Sequence, residues 1–203
     1  MFKKPVIAFE GIEGSGKSHH INHIAKYLKK KGIDFIKLRE PGGNPNSEKI
    51  RKLILDKNSK FNKVTDLLLY LAARSENIQL LRKNYKKKII LIDRFIDSTV
   101  AYQHYGLGVD LKFINFINRN LLKEFKVDYT FLNIVDRKNM VKRLTLRKSL
   151  NRYDKFNTKF YNNVQKGFIR LAKKRKNRYK IINSNLDIVF NQNQIIQSVN
   201  KLI

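Results

Sequence analysis

Apolar residues along the chain gather into short runs at residues 6–9, 35–38, 89–92, 129–134 and 179–182. Most are continuous rather than alternating, the pattern of strands buried on both faces of a parallel sheet. Between them the apolar positions change to helical spacing, over residues 17–31, 47–55, 65–83, 111–124, 138–147, 154–175 and 187–202. In the first of these segments Ile21, Ile24, Ala25 and Leu28 share one face, and Gly32 stands where a helix C-terminus favours glycine. Strands alternating with helices predict a layered α/β domain with crossover helices. Residues 137–178 are the most basic stretch and carry no strand pattern, so they predict a helical excursion outside the sheet. No repeat or low-complexity linker divides the chain, and residues 1–203 read as one domain.

Sheets of this kind bind ligands at the carboxyl ends of their strands. The first strand is followed by Gly11, Ile12, Glu13, Gly14, Ser15, Gly16, Lys17 and Ser18, a full match to G-x-x-x-x-G-K-[ST] between a strand and a helix. Glycines let such a loop turn its N–H groups around phosphate oxygens. The lysine reaches the outer phosphates, and the Ser18 hydroxyl suits Mg²⁺. The helix that starts there aims its positive end at the same anion. The chain is therefore expected to bind a nucleoside triphosphate. The second strand runs into Arg39-Glu40-Pro41-Gly42-Gly43 and the third into Asp93-Arg94-Phe95. Asp93 beside a phosphate loop is a candidate Mg²⁺ ligand, and Arg94 is a candidate grip on a second phosphate group. Tyr70 and Arg74 are four apart on one helical segment, where a ring and a guanidinium can meet a flat base.

Composition narrows the field. The chain has no cysteine, which excludes disulfides, thiolate metal sites and cysteine nucleophiles. The apolar run near the N-terminus is broken by Glu10 and Glu13 and reads as a strand, not a signal peptide. No apolar stretch is long enough to span a membrane, so a cytoplasmic protein is expected. The net charge is +28, from 44 Lys+Arg against 16 Asp+Glu. Such a charge suggests nucleic acid as a partner. Yet the lysines are spread over the whole chain, accompanied by abundant Asn and Ile, and form no basic stripe interleaved with aromatics. Composition bias is the better reading, and no dedicated nucleic-acid partner is expected.

The combination of motifs resembles the thymidylate kinase family. The resemblance runs through Phe9-Glu10-Gly11 and the phosphate loop, Arg39-Glu40-Pro41-Gly42-Gly43, Leu69-Tyr70-Leu71-Ala72-Ala73-Arg74, Asp93-Arg94-Phe95, Ala101-Tyr102-Gln103, and Asn151-Arg152-Tyr153-Asp154. It covers essentially the whole chain. It implies a three-layer P-loop fold, with a five-stranded parallel sheet flanked by helices and a short helical lid near residues 138–158. The implied reaction is ATP + dTMP → ADP + dTDP with Mg²⁺, in a homodimer. The resemblance also implies roles. Glu13 would lie near the deoxyribose 3′-hydroxyl, Arg94 would hold the dTMP phosphate, and Arg39 would lie near it. Tyr70 would stack on thymine, Arg74 would bond its O4, and Thr99 and Gln103 would approach the base edge. Tyr102 would pack under the sugar. Ser18 and Asp93 would hold the metal. The phosphate loop contains no base, so the family pattern sends the search for catalytic charge, beyond Lys17, to lid arginines. Arg147 and Arg152 are preferred, with Arg143 expected to face solvent. Phe95 stands where the family often has Tyr or His, and Asn133 where it usually has an acid. The alternatives are a related kinase with another acceptor, or a nucleotide-triggered nucleic-acid-binding protein.

Overall fold

The computed structural model describes residues 4–146 and 151–203. Five strands, β1 (Val6–Gly11), β2 (Phe35–Arg39), β3 (Ile89–Asp93), β4 (Tyr129–Ile134) and β5 (Tyr179–Asn183), form one sheet in the order β2-β3-β1-β4-β5. Every pairing is parallel. All of β1 is buried, as its unbroken apolar run requires.

Successive side chains of the central strands enter opposite layers. Ile7 and Phe9 of β1, with Ile89 and Leu91 of β3, pack against α1 (Lys17–Lys30) and α8 (Ile188–Leu202) through Ile21, Ile24, Leu28, Ile195 and Val199. Val6, Ile90 and Ile92 meet Ile78 and Leu81 of α3 (Lys63–Asn84) and Leu122 of α5 (Leu111–Leu122) on the other face. Gly32, at φ +66°, closes α1 in the left-handed conformation glycine permits.

A third apolar cluster joins α2 (Pro45–Leu55), α6 (Arg137–Thr145) and α7 (Thr158–Lys174) through Ile54, Leu144, Phe160 and Phe168. This corrects the expected excursion. α7 is a covering helix that packs against β1, β4 and β5, and its Val164 and Phe168 are fully enclosed. Its many lysines and arginines lie on the solvent side and mask the buried face in composition. A second difference lies after β3. Residues 96–106 fold into a short helix, α4 (Ile96–Thr99), and a π-helical turn (Val100–Gly106) that the hydrophobic spacing did not signal. Its buried face is partly polar, with Asp97, Ser98, Thr99 and Gln103 all enclosed, so apolar periodicity cannot show it. π turns of this kind are frequent at functional sites.

Candidate active site

β1, β2 and β3 end along one edge of the sheet, and their terminal residues open into a cavity of about 200 Å³. At β1 the chain leaves through Gly11 at φ +139°, where a Cβ would stand 2.2 Å from the Asn133 carbonyl oxygen. Only glycine fits between the loop and β4. Gly16, at φ +84°, turns the chain into α1. Gly14 and Ser15 complete the loop, where Ser184 donates to the Ser15 carbonyl at 2.7 Å, and Ile12 is buried beneath it.

Lys17 begins α1 and folds back over the loop, donating to the Ile12 carbonyl at 2.7 Å and to Ser15 Oγ at 3.3 Å. Burial pushes its ammonium down to about 7, reinforced by Arg94 and opposed by Asp93, Glu13 and Glu10. Ser18 donates to Asp93 Oδ2 at 2.8 Å, so a hydroxyl and a carboxylate face one another at the mouth of the loop. This hard oxygen pair suits Mg²⁺, which takes few protein ligands and completes its shell with phosphates and water.

Arg94 is built for the centre of the cavity. It adopts φ +66°, uncommon for a residue with a side chain. Its guanidinium donates to the Gly11 carbonyl at 2.9 Å and to Glu13 Oε1 at 2.8 Å, over the Tyr102 ring. The Tyr102 hydroxyl donates to the other Glu13 oxygen. Burial alone would raise the Glu13 carboxyl; Arg94, Lys17 and the Tyr102 hydroxyl outweigh it and hold it below its ordinary value. Behind this group Glu10 accepts the Phe95 N–H at 2.9 Å and the Ser98 hydroxyl at 2.5 Å, fixing the turn that carries Arg94. Burial, aided by Asp97, pushes the Glu10 carboxyl up to about 7.

The far wall comes from α3. Tyr70 lines it, and its hydroxyl is held protonated by burial and by the nearby Asp66 carboxylate. Arg74 is almost wholly enclosed. Its guanidinium donates to Glu40 Oε2 at 2.7 Å, Asn118 Oδ1 at 2.6 Å and Thr99 Oγ1 at 3.0 Å, and lies over the Phe95 ring. The Phe95 ring thus offers its face to a buried cation. Burial raises the Glu40 carboxyl against the opposing pull of Arg74.

Eleven residues singled out in the sequence line this cavity: Glu13, Lys17, Ser18, Arg39, Tyr70, Arg74, Asp93, Arg94, Thr99, Tyr102 and Gln103. Arg39 sits at the rim in a bidentate pair with Glu48. Of the three lid arginines, two are placed differently from the expectation. Arg147 lies outside the described residues. Arg152 does not line the cavity; its guanidinium pairs with the buried Asp66. Arg143, expected to face solvent, reaches the loop instead, donating to the Gly14 carbonyl at 2.9 Å and the Ser184 carbonyl at 2.6 Å.

Asn151 and Tyr153 of the lid motif also line the cavity, as do Arg51 and Leu55, which were not read from the sequence. Arg51 donates to the Pro41 carbonyl at 2.7 Å. It sits among Lys49 and Lys52 in a basic helix, where nothing local marks one cation as inward.

A parallel sheet with a lysine-bearing phosphate loop, an opposed Ser–Asp pair and a guanidinium on the residue after that Asp defines a P-loop kinase. Comparison with known proteins carries this further. The thymidylate kinase family model matches residues 9–195. A thymidylate kinase of Sulfurihydrogenibium sp. (strain YO3AOP1) is 37% identical over 95% of this chain and 95% of its own length. One of Chlorobium phaeobacteroides is 35% identical over 88% of this chain and 87% of its own. The crystal structure of thymidylate kinase from Ehrlichia chaffeensis superposes with a TM-score of 0.79 at 32% identity, covering 97% of this chain and 98% of that one. The chain belongs to the thymidylate kinase family. No helix among the described residues is long and apolar enough to cross a membrane.

Proposed function

We propose that the protein transfers the γ-phosphoryl group of ATP to dTMP, giving dTDP and ADP, with Mg²⁺. The observation that carries this reading is that the phosphate loop and the Arg94, Tyr70, Arg74 group open into one cavity. A donor phosphate over Lys17 and an acceptor phosphate at Arg94 would thus meet within one cavity.

Phosphoryl transfer needs little covalent help; it needs positioning and positive charge against the equatorial oxygens. Ser18 and Asp93 would hold the magnesium ion, which when bound neutralises charge on the donor phosphates. Lys17 would exchange its contacts to Ile12 and Ser15 for phosphate oxygens. Arg94 would bind the acceptor phosphate while Glu13, braced by Arg94 and Tyr102, would accept from the sugar 3′-hydroxyl. Tyr70 would stack on thymine, and the Arg74 donors not used by Glu40, Asn118 and Thr99 would face its O4. Gln103 and Thr99 would border the base edge, with Arg39 nearby at the rim. Arg143, already against Gly14, would add charge on the donor side; Arg147 is the other lid arginine that would serve there. Exposed Val64 and Leu68 on α3 support pairing of two copies into a homodimer.

Coupled-assay rates with dTMP, dUMP, UMP, CMP and thymidine as acceptors test the assignment. dTMP should be preferred; a preference for UMP or thymidine overturns it.

A further inference from the structure

Arg152 lies in a segment that the sequence marks for charge stabilisation, and the structure gives it other work. Asp66, in the first turn of α3, has a side chain 3% exposed. It accepts from three donors: the Arg152 guanidinium, the Tyr153 hydroxyl at 2.5 Å and the Gln103 amide at 3.2 Å. The Arg152 guanidinium also lies over the rings of Phe61 and Tyr153. Its charge is thus committed to a buried carboxylate and two aromatic faces. Drawing it away would leave the Asp66 carboxylate buried without its cation, an arrangement proteins strongly disfavour.

What this cluster holds in place is the acceptor end of the cavity. The Tyr153 ring stands edge-on to Tyr70 at 6.0 Å and to Tyr102 at 5.8 Å. The Arg152 N–H donates to the carbonyl of Leu55, and Leu55, Asn151, Tyr153 and Gln103 all line the cavity. A short 3-10 turn, Tyr153–Lys155, is pinned by the Asn151 side chain, which accepts the Tyr153 N–H at 2.8 Å. One carboxylate on α3 therefore ties the roof of the cavity to the wall that carries Tyr70.

We infer that Asp66 and Arg152 are positioning residues for the acceptor nucleotide, acting through Tyr153 on the ring that meets the base, and that Arg152 does not stabilise the transferred phosphoryl group. The inference rests on the dTMP kinase reading above. It separates cleanly from the lid-arginine alternative, because a cation that acts on the moving phosphoryl group lowers kcat without changing how dTMP binds by itself.

The experiment measures kcat and both KM values, with calorimetric dTMP binding in the absence of ATP, for the parent, Asp66→Asn, Arg152→Ala and Arg152→Lys. Loss of a charge-assisted contact predicts dTMP binding weaker by about tenfold or more in Asp66→Asn and Arg152→Ala. KM for ATP and kcat should stay within about twofold, and Arg152→Lys should recover part of the loss by keeping a cation against Asp66. Tyr153→Phe removes one hydroxyl and keeps the ring; it decides the matter if the charge variants do not fold, with a severalfold loss of dTMP binding expected. Unchanged dTMP binding in the variants, or a kcat-only defect in Arg152→Ala, overturns the inference. A parent enzyme that does not phosphorylate dTMP refutes the acceptor assignment instead, so the two failures are told apart.

Discussion

Arg74→Ala tests whether the acceptor wall is built around a buried ion pair. In the structure the Arg74 and Glu40 side chains are 2% and 4% exposed, with Nε 2.7 Å from the carboxylate. The substitution removes that pair together with the bonds to Asn118 and Thr99. It leaves Glu40 buried without its cation, and the Asn118 oxygen without its donor. Breaking one partner of a buried pair costs about 3–5 kcal/mol. A domain of this size shifts its melting temperature by roughly 2–4 °C per kcal/mol, so the variant should melt about 6–20 °C below the parent. If, as proposed, the same guanidinium meets the base, KM for dTMP should rise much more than KM for ATP. The double variant Glu40→Gln/Arg74→Met removes both charges and should recover part of the lost stability while leaving dTMP binding impaired. Differential scanning calorimetry with steady-state kinetics reads both effects. A single variant melting within about 2 °C of the parent would refute the ion-pair argument. Equal effects on the two KM values would refute base recognition.

Three further outcomes follow from the site. Burial holds the Lys17 ammonium near 7, and a bound triphosphate raises it, so ATP binding at pH 8 should take up a proton and weaken as pH rises. Calorimetry in buffers of different ionisation enthalpy measures this, and the absence of proton uptake would refute it. The Glu10 carboxyl is raised to about 7 from 4.5. The folded state therefore binds its proton more tightly than the unfolded chain does, and stability falls as pH rises from 4.5 to 7, by up to about 3 kcal/mol. Glu10→Gln should flatten that fall in melting curves taken between pH 5 and 8, and a variant with the parent's pH dependence argues against it. Gly11→Ala places a Cβ 2.2 Å from the Asn133 carbonyl oxygen at φ +139°; urea unfolding should show a loss above about 2 kcal/mol, and an unchanged midpoint would refute the packing account.

The sequence was most legible where local chemistry and spacing coincide. Apolar-rich runs placed all five strands within two residues of their observed ends; they are continuous in β1 and β3, where burial on both faces leaves no polar alternation. The phosphate loop was visible because its glycines, lysine and serine must be adjacent in the chain to surround one anion. Arg94 and Asp93 stood out because strand ends are where such sheets present ligands-binding groups.

Tertiary structure alone decided the rest. Residues 96–106 form helical structure whose buried side is partly polar, so its core is made by hydrogen bonds to Glu10 and Arg74 from distant segments and not by a local apolar stripe. Arg51, Arg143 and Arg152 look alike in a chain with 44 basic residues. Their work is set by partners far along the sequence: the Pro41 carbonyl, the Gly14 and Ser184 carbonyls, and Asp66. The sequence determined the order of strands and helices and the loop that takes a phosphate, because those depend on neighbours in the chain. The structure decided which cations lie against that loop and which brace the cavity wall, because a buried charge takes its role from whichever partners the fold encloses with it.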